Sequence, residues 1–351
     1  MIGLKNQLTK EKPAFLLVKL SSLGDVLHNI PIVWDIRERY PDSRIDWVVE
    51  EAYVDLLRPL QTSVFFRGID RIIPFALRRW RRNIFKPNHW QELFSTVQVL
   101  KEQRYDWVID SQGLIKSAIV ASLAGRSKNT KITGLANATE HSSYEPLARF
   151  FYTESVRVPK YCHAIDRSRY LLSSALNIPL MNPTLSVKFY PNFFVDHIAN
   201  ASNFAPEFKK PYVLCFHATA REAKKWSIDD WVLVGRHLLE KGLIPIYPWG
   251  NQAEKKTSDA IVHQLDGGLV PKAYSIHDYF QIISQASLSI GVDTGLTHLS
   301  AVLNKPTIEI YCDSPVWKTE GYWSEKILNL GNLGKPPSVQ MVIEAIDQLS
   351  N

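Results

Sequence analysis

The sequence has little cysteine, no long apolar run, and none of the short strings that mark the commonest catalytic machines. Its 351 residues include three cysteines, Cys162, Cys215 and Cys312. They are odd in number, far apart and free of any C-x-x-C spacing, so neither a disulfide framework nor a zinc site is expected and a reducing cytoplasm fits best. No window approaches the roughly 18 apolar residues of a membrane span, and the apolar run behind Pro13 stops at Lys19, too short for a signal peptide. Export is therefore not expected, and membrane contact would be peripheral. G-x-G-x-x-G, G-x-S-x-G and H-E-x-x-H are all missing. Lys116-Ser117 looks like the end of a P-loop, but Asp110 and Ile115 occupy positions that need glycine. With no D-x-D pair and no His/Cys cluster, no metal is expected.

What is present is a steady alternation of short β-rich runs with helical periods. Phe15–Val18, a helical pattern through Val26, Ile30, Val33 and Trp34, Ile45–Val49, Trp107–Ile109 and a helix over 114–123 form βαβ units. The second half repeats the scheme with Tyr212–Phe216, a helix over about 227–240 begun by Ser227 and Asp230, Ile244–Tyr247, Leu288–Ile290 and Thr307–Ile310. Pro179 and Pro183 break the periodicity between the halves. The reading is α/β, with two Rossmann-like doubly wound domains over 1–175 and 206–351 joined by a linker over 176–205. Ligands of such sheets bind at the carboxyl ends of their strands, so the cleft between the domains is where chemistry is sought.

The formal charge of +6 favours anionic partners without choosing among them. Four segments at predicted strand ends carry candidates. After the first strand, Lys19-Leu20-Ser21-Ser22-Leu23-Gly24-Asp25 brings a carboxylate and two hydroxyls to the mouth of the cleft. Asp25 is the best candidate for a general base, although helix capping alone accounts for an Asp there. Gly291 to Leu299 follows an apolar strand and opens a helix, an anion site by its free N–H groups and dipole. Gly295 allows a diphosphate close to the backbone, Thr294 and His298 donate to it, and Asp293, repelled by phosphate, accepts from sugar hydroxyls. The loop His217-Ala218-Thr219-Ala220-Arg221-Glu222-Ala223-Lys224 offers Lys224 and Thr219 to a leaving diphosphate. After Pro248-Trp249-Gly250, Glu254 reaches for a ribose. Finally, Arg78-Arg79-Trp80-Arg81-Arg82 lies in a stretch without a carboxylate between Asp70 and Glu92. As a helix it puts Arg78, Arg81 and Arg82 on one face, with Trp80 as an apolar partner for an anionic amphiphile; a solvated basic face is the plainer reading.

Taken together, Lys19 to His28, Trp47-Val48-Val49-Glu50-Glu51, Arg78 to Arg81, Asp110-Ser111-Gln112-Gly113-Leu114 with Lys116-Ser117-Ala118, Glu145 to Ala148, His217 to Thr219, Lys224, Trp226, Pro248 to Gly250 and Val292 to Leu299 resemble the lipopolysaccharide heptosyltransferase I family. That family belongs to glycosyltransferase family 9 and has the GT-B fold. The resemblance implies an inverting, metal-independent transfer of L-glycero-D-manno-heptose from ADP-heptose to the first Kdo of Kdo2-lipid A, in lipopolysaccharide inner-core synthesis. It implies no cofactor beyond the substrate and its product ADP. Catalysis would fall to Asp25 and Lys224. The donor would be held by Thr219, Ala220, Lys224, Glu254, Asp293, Thr294, Gly295, Leu296 and His298, and the acceptor by Lys19, Ser22, Arg78, Arg79, Arg81, Arg82 and Gln112. The chain would be a monomer, without nucleic-acid partner, on the cytoplasmic face of the inner membrane of a Gram-negative bacterium. Ala223, Ala220 and Cys312-Asp313-Ser314-Pro315 depart from the family pattern, which touches donor contacts. Two alternatives stay open: a heptosyltransferase II-like or other family 9 enzyme with a different acceptor, and a non-catalytic anion-binding module resting on the basic pI and the arginine cluster.

Overall fold

Aliphatic and β-branched runs bounded by charged loops become strands buried on both faces, as a parallel sheet covered by helices requires. The computed structural model describes residues 12–63, 67–82, 86–179, 194, 208 and 211–350. The linker expected over 176–205 lies outside these residues, apart from 176–179 and 194. In the first sheet, β1 (Ala14–Val18), β2 (Arg44–Glu50), β3 (Arg71–Phe75), β4 (Tyr105–Asp110), β5 (Arg126–Leu135) and β6 (Glu154–Val156) stand in the order β3-β2-β1-β4-β5-β6. All pairs are parallel; Val18 faces Val48 on one side and Asp110 on the other. In the second, β7 (Tyr212–Phe216), β8 (Ile244–Ile246), β9 (Leu288–Val292), β10 (Thr307–Tyr311) and β11 (Ile327–Gly331) form the parallel order β11-β10-β9-β7-β8.

This is the expected pair of doubly wound sheets, and it fixes where a ligand can sit. The strand order reverses between β1 and β4 in one sheet and between β7 and β9 in the other, and open α/β sheets bind ligands outside such reversals. The loops there are Lys19–Ser22 with Ser111–Gln112, and 217–227 with the turn at Asp293. All four belong to segments singled out in the sequence.

The expected helix from Val26 to Trp34 is instead two, α1 (Leu23–Asn29) and α2 (Pro31–Arg39), because Pro31 has no N–H to continue the first. The helix begun by Ser227 is present as Ile228–Glu240, with the Ser227 hydroxyl accepting from the Asp230 N–H at 3.0 Å. The basic stretch forms a short helix, Leu77–Arg82. Among the described residues no helix is long and apolar enough to cross a membrane.

The two halves share one apolar core, in which Phe15, Leu27 and Ile165 are continuous with Phe216, Phe280, Leu299 and Val302. The seam is the packing of α1 on the helix after β9, Gly295–Val302. Gly295 has no side chain because none fits: a Cβ there would lie 2.8 Å from the Cβ of Leu23 and 2.9 Å from the Gly24 nitrogen. Its smallness serves the approach of the other domain, a constraint beyond the expected room for a diphosphate, and Gly295 also borders the cleft between the domains. Gly295→Ala is expected to lower unfolding stability by about 1–3 kcal/mol, as overpacked sites do, in urea titrations monitored by tryptophan fluorescence. An unchanged midpoint would mean the seam is loose.

Candidate functional site

Between the sheets lies a cavity of about 350 Å³ whose walls include Lys19, Asp25, Arg167, Lys224, Asp293 and Lys318. A second cavity of about 370 Å³ opens beside it, lined by Trp249, Glu254, Tyr274, Tyr279 and Leu296. Thr219, Ala220 and Thr294 line both.

On the first-domain side, β1 delivers Lys19 and α1 delivers Asp25. The Asp25 side chain is 46% exposed and Lys19 almost buried, 3.9 Å apart. Asp25 Oδ2 accepts from the Ser22 amide at 3.0 Å and the Ser22 hydroxyl at 2.7 Å, so the capping role is real and leaves the other oxygen toward the cleft. Desolvation pushes the Asp25 carboxyl upward, but Lys19 and the Ser22 donors outweigh it and hold the group well below the usual carboxylate range. Lys19 is drawn down to about 8, by burial first; Asp25 offsets this in part, while Arg167 and Lys318 add to it. Lys19 also donates to the Ser111 carbonyl at 3.3 Å, which joins the β1 and β4 loops at the strand reversal.

On the second-domain side, the turn after β9 starts a helix without a side-chain cap: neither Asp293 nor Thr294 bonds the first turn. No side chain therefore occupies the first N–H groups of the helix, and they remain for a ligand. Asp293 is 8% exposed. Its Oδ1 accepts from His298 Nε2 at 3.0 Å and Thr319 at 3.3 Å, and its Oδ2 from Lys224 Nζ and Ser314, both at 2.5 Å. The expectation that Asp293 receives sugar hydroxyls is corrected here, because its acceptor sites are filled by the protein. His298 is also misplaced as a phosphate donor. It is 2% exposed, and its Nδ1 lies 3.0 Å from Glu309, so both ring nitrogens serve carboxylates. Burial works against its protonation, but Glu309 and Asp293 win and raise its pKa to about 10, while Asp293 is pulled well below its ordinary value by His298 and Lys224 against the cost of burial.

The other candidates divide. Thr219 reaches toward the Asp293 carbonyl at 3.5 Å, and with Ala220 and Lys224 it stands in the cleft as expected. Glu254 and Leu296 line the aromatic cavity, although the Glu254 oxygens already accept from the Gly250 amide and the Asn251 side chain, each at 2.7 Å. Gln112 does not line either cavity; its Oε1 takes the Leu20 and Ser21 amides at 3.1 and 3.2 Å and so shapes the loop that carries Ser22. The arginine cluster also lies outside both cavities. Trp80 is 8% exposed, packed edge-on against Phe75 and bonded to Glu92, so it offers no apolar surface. The stretch that looks unopposed in sequence is met by distant carboxylates, Arg79 pairing with Glu51 and Glu92. Arg78, Arg81 and Arg82 are exposed, and Arg78 donates to the hydroxyl of Tyr53, a cleft residue, at 3.3 Å.

Arg167, Lys318, Thr319 and Glu309 carry no signal of a site role in the sequence, whereas Ser314 belongs to the stretch at Cys312–Pro315 that departs from the family pattern; Arg167 looks like any charged residue of an amphipathic helix until the fold buries it.

A model of glycosyltransferase family 9 (heptosyltransferase) matches residues 93–345. Lipopolysaccharide heptosyltransferase 1 of Pseudomonas aeruginosa is 34% identical over 296 residues, spanning 84% of this chain and 78% of that protein. A heptosyltransferase of Escherichia coli solved with ADP has a TM-score of 0.77 at 26% identity, covering 96% of this chain and 99% of that one. Solved with ADP-2-deoxy-2-fluoro heptose, it gives 0.70 at 27% identity over 95% and 98%.

The His298 pairing makes stability depend on pH. Because its folded pKa, about 10, lies above the ordinary value near 6.5, its contribution is full below about pH 6.5 and is lost as pH rises through about 10. His298→Gln leaves two carboxylates facing each other in the interior and is expected to cost about 3–5 kcal/mol at pH 7. In denaturant titrations the gap between wild type and variant should close as pH climbs toward 10; a constant gap would show that the imidazole is not charged.

Proposed function

The chain belongs to glycosyltransferase family 9, the heptosyltransferases, and from that premise we propose that it moves L-glycero-D-manno-heptose from ADP-heptose to the first Kdo of Kdo2-lipid A. It is a glycosyltransferase of lipopolysaccharide inner-core synthesis. The observation that carries the finer reading is one cleft with an open carboxylate on one wall and an uncapped helix start beside Lys224 on the other.

The acceptor hydroxyl oxygen forms a bond to the anomeric carbon while the bond from that carbon to the phosphate oxygen breaks, and ADP leaves. Attack from the side opposite the diphosphate inverts the centre. Asp25, ionised throughout the working range, takes the hydroxyl proton. Its low basicity suits a late transfer, when the attacking oxygen has already become acidic through bonding to carbon. Charge that develops on the leaving diphosphate meets the N–H groups of the 295–302 helix, Thr219 and the Lys224 ammonium, which Asp293 holds in place. These are fixed protein charges, so neither a metal nor a cofactor is required. The aromatic cavity at Trp249, Tyr274 and Tyr279 suits the adenosine part of the donor. The first domain would hold the acceptor and the second the donor. A monomer working at the cytoplasmic face of the inner membrane agrees with a lipid acceptor, and the exposed Arg78, Arg81 and Arg82 suit its anionic surroundings.

Asp25→Ala is expected to reduce turnover of ADP-heptose with a Kdo-lipid acceptor by about 10²–10⁴-fold while ADP affinity stays within twofold, measured by ADP release and by calorimetry. Retained turnover would remove Asp25 as the base. The wild-type rate in EDTA should equal that with magnesium; a loss that magnesium restores would contradict the metal-free reading.

A further inference from the structure

Arg167 stands near the start of the helix Ala164–Leu176, 8% exposed, and lines the cavity that holds Asp25 and Lys224. Its Nε and Nη2 are buried and, among the described residues, have no hydrogen-bond partner. Those two nitrogens form one edge of the guanidinium, the edge that grips a carboxylate with two parallel bonds. The same helix shows the satisfied form two residues on. Arg169 holds Asp35 through Nε at 2.7 Å and Nη2 at 3.1 Å. Arg167 has no such partner. A buried donor pair left empty is costly, and such groups mark sites completed by a ligand.

The surroundings state the sign of that ligand. Lys19 and Lys318 border the same cavity, and both are depressed by burial and by neighbouring positive charge. Two carboxylates also face the group, and neither serves it. Asp25 gives its Oδ2 to Ser22 and its Oδ1 lies 3.9 Å from Lys19, and Asp110 is fully buried and accepts from Ser117, Tyr152 and the Gln112 amide. The donor diphosphate has its own cations and helix terminus at Lys224 and Thr294, on the other wall. What remains on the Asp25 wall is a receptor for a planar anion adjoining the base.

We propose that Arg167, flanked by Lys19 and Lys318, binds the carboxylate of the acidic acceptor sugar and so places the attacking hydroxyl at Asp25. This rests on the transferase reading above, and it explains how an enzyme would choose an acidic sugar over a neutral one. A site built to pair a charge rejects the analogue that lacks it more strongly than any apolar pocket rejects an isostere.

The test uses the full chain, Arg167→Met and Arg167→Lys, with a Kdo-lipid acceptor supplied as the free acid and as its carboxamide. Arg167→Met is expected to raise the acceptor KM about 10- to 100-fold for the free acid. The carboxamide should cost the wild type a similar factor and cost Arg167→Met nothing more. Arg167→Lys should recover part of the loss, because it restores charge without the fork. ADP affinity should not change, and the melting temperature of Arg167→Met should equal or exceed that of the wild type, since the guanidinium has no internal partner to lose. A carboxamide penalty that persists in Arg167→Met overturns the assignment. So does a fall in ADP affinity, which would give the anion site to the diphosphate, or a melting temperature well below wild type, which would make the residue structural. A wild type that transfers heptose to neither acceptor removes the transferase reading and the proposal with it, an outcome separable from the others by the wild-type arm alone.

Discussion

The buried hydrogen-bonded line Glu309–His298–Asp293 is the constraint on which the cleft depends. It links β10, the helix after β9 and the turn that joins β9 to that helix, and Asp293 then gathers Lys224 from the loop after β7 and Ser314 and Thr319 from the loop after β10. Two carboxylates and an imidazolium are stable in the interior only as a fully satisfied set. A single protonation state therefore fixes three loops. His298 also stands at the seam between domains: its ring is 4.8 Å from that of His28 in α1, and a Cβ on Gly24 would meet it at 3.2 Å. The same imidazole that orders the donor wall is thus in contact with the helix that carries Asp25.

Much of this fold was legible because parallel sheets write themselves as buried apolar runs between helices. β1, β2, β4, β7, β9 and β10 are such runs. The strands missed are those that sheet edges and polar surfaces disguise: β3 contains Pro74 and lies at an edge, the three-residue β6 lies at the opposite edge, β11 lies at the other sheet's edge, and β5 opens with six polar residues before it is buried. The positions of the site loops were legible for the same reason, since they follow strands at the two reversals.

The roles within the site were less legible, and the cause is pairing at long sequence separation. Asp293 looked like a free carboxylate until Lys224 and Ser314, 69 and 21 residues away, filled it. Arg79 looked unopposed until Glu51 returned from 28 residues upstream. Residue type and local spacing predict which chemistry a loop carries; which partner consumes that chemistry is set by tertiary contacts. Arg167 is the converse case, a charge that seemed ordinary and that the fold leaves unpaired.

The positive charge of the chain consequently falls into two populations with different physics. Arg78, Arg81 and Arg82 are exposed outside the cavities, where interactions are screened over about 8 Å at physiological ionic strength. Charges of that kind act on encounter, raising the local concentration of an anionic surface, and they tolerate replacement of one arginine by another cation. Lys19, Arg167, Lys224 and Lys318 line a cavity, buried or half-buried, where each charge is stronger but has given up part of its hydration. They act on orientation, and only geometry of the right shape repays the desolvation. A modest net charge is thus compatible with a strongly anionic ligand, because the cations that matter most are few and inside the cleft, with Lys19 set against Asp25 and Lys224 against Asp293.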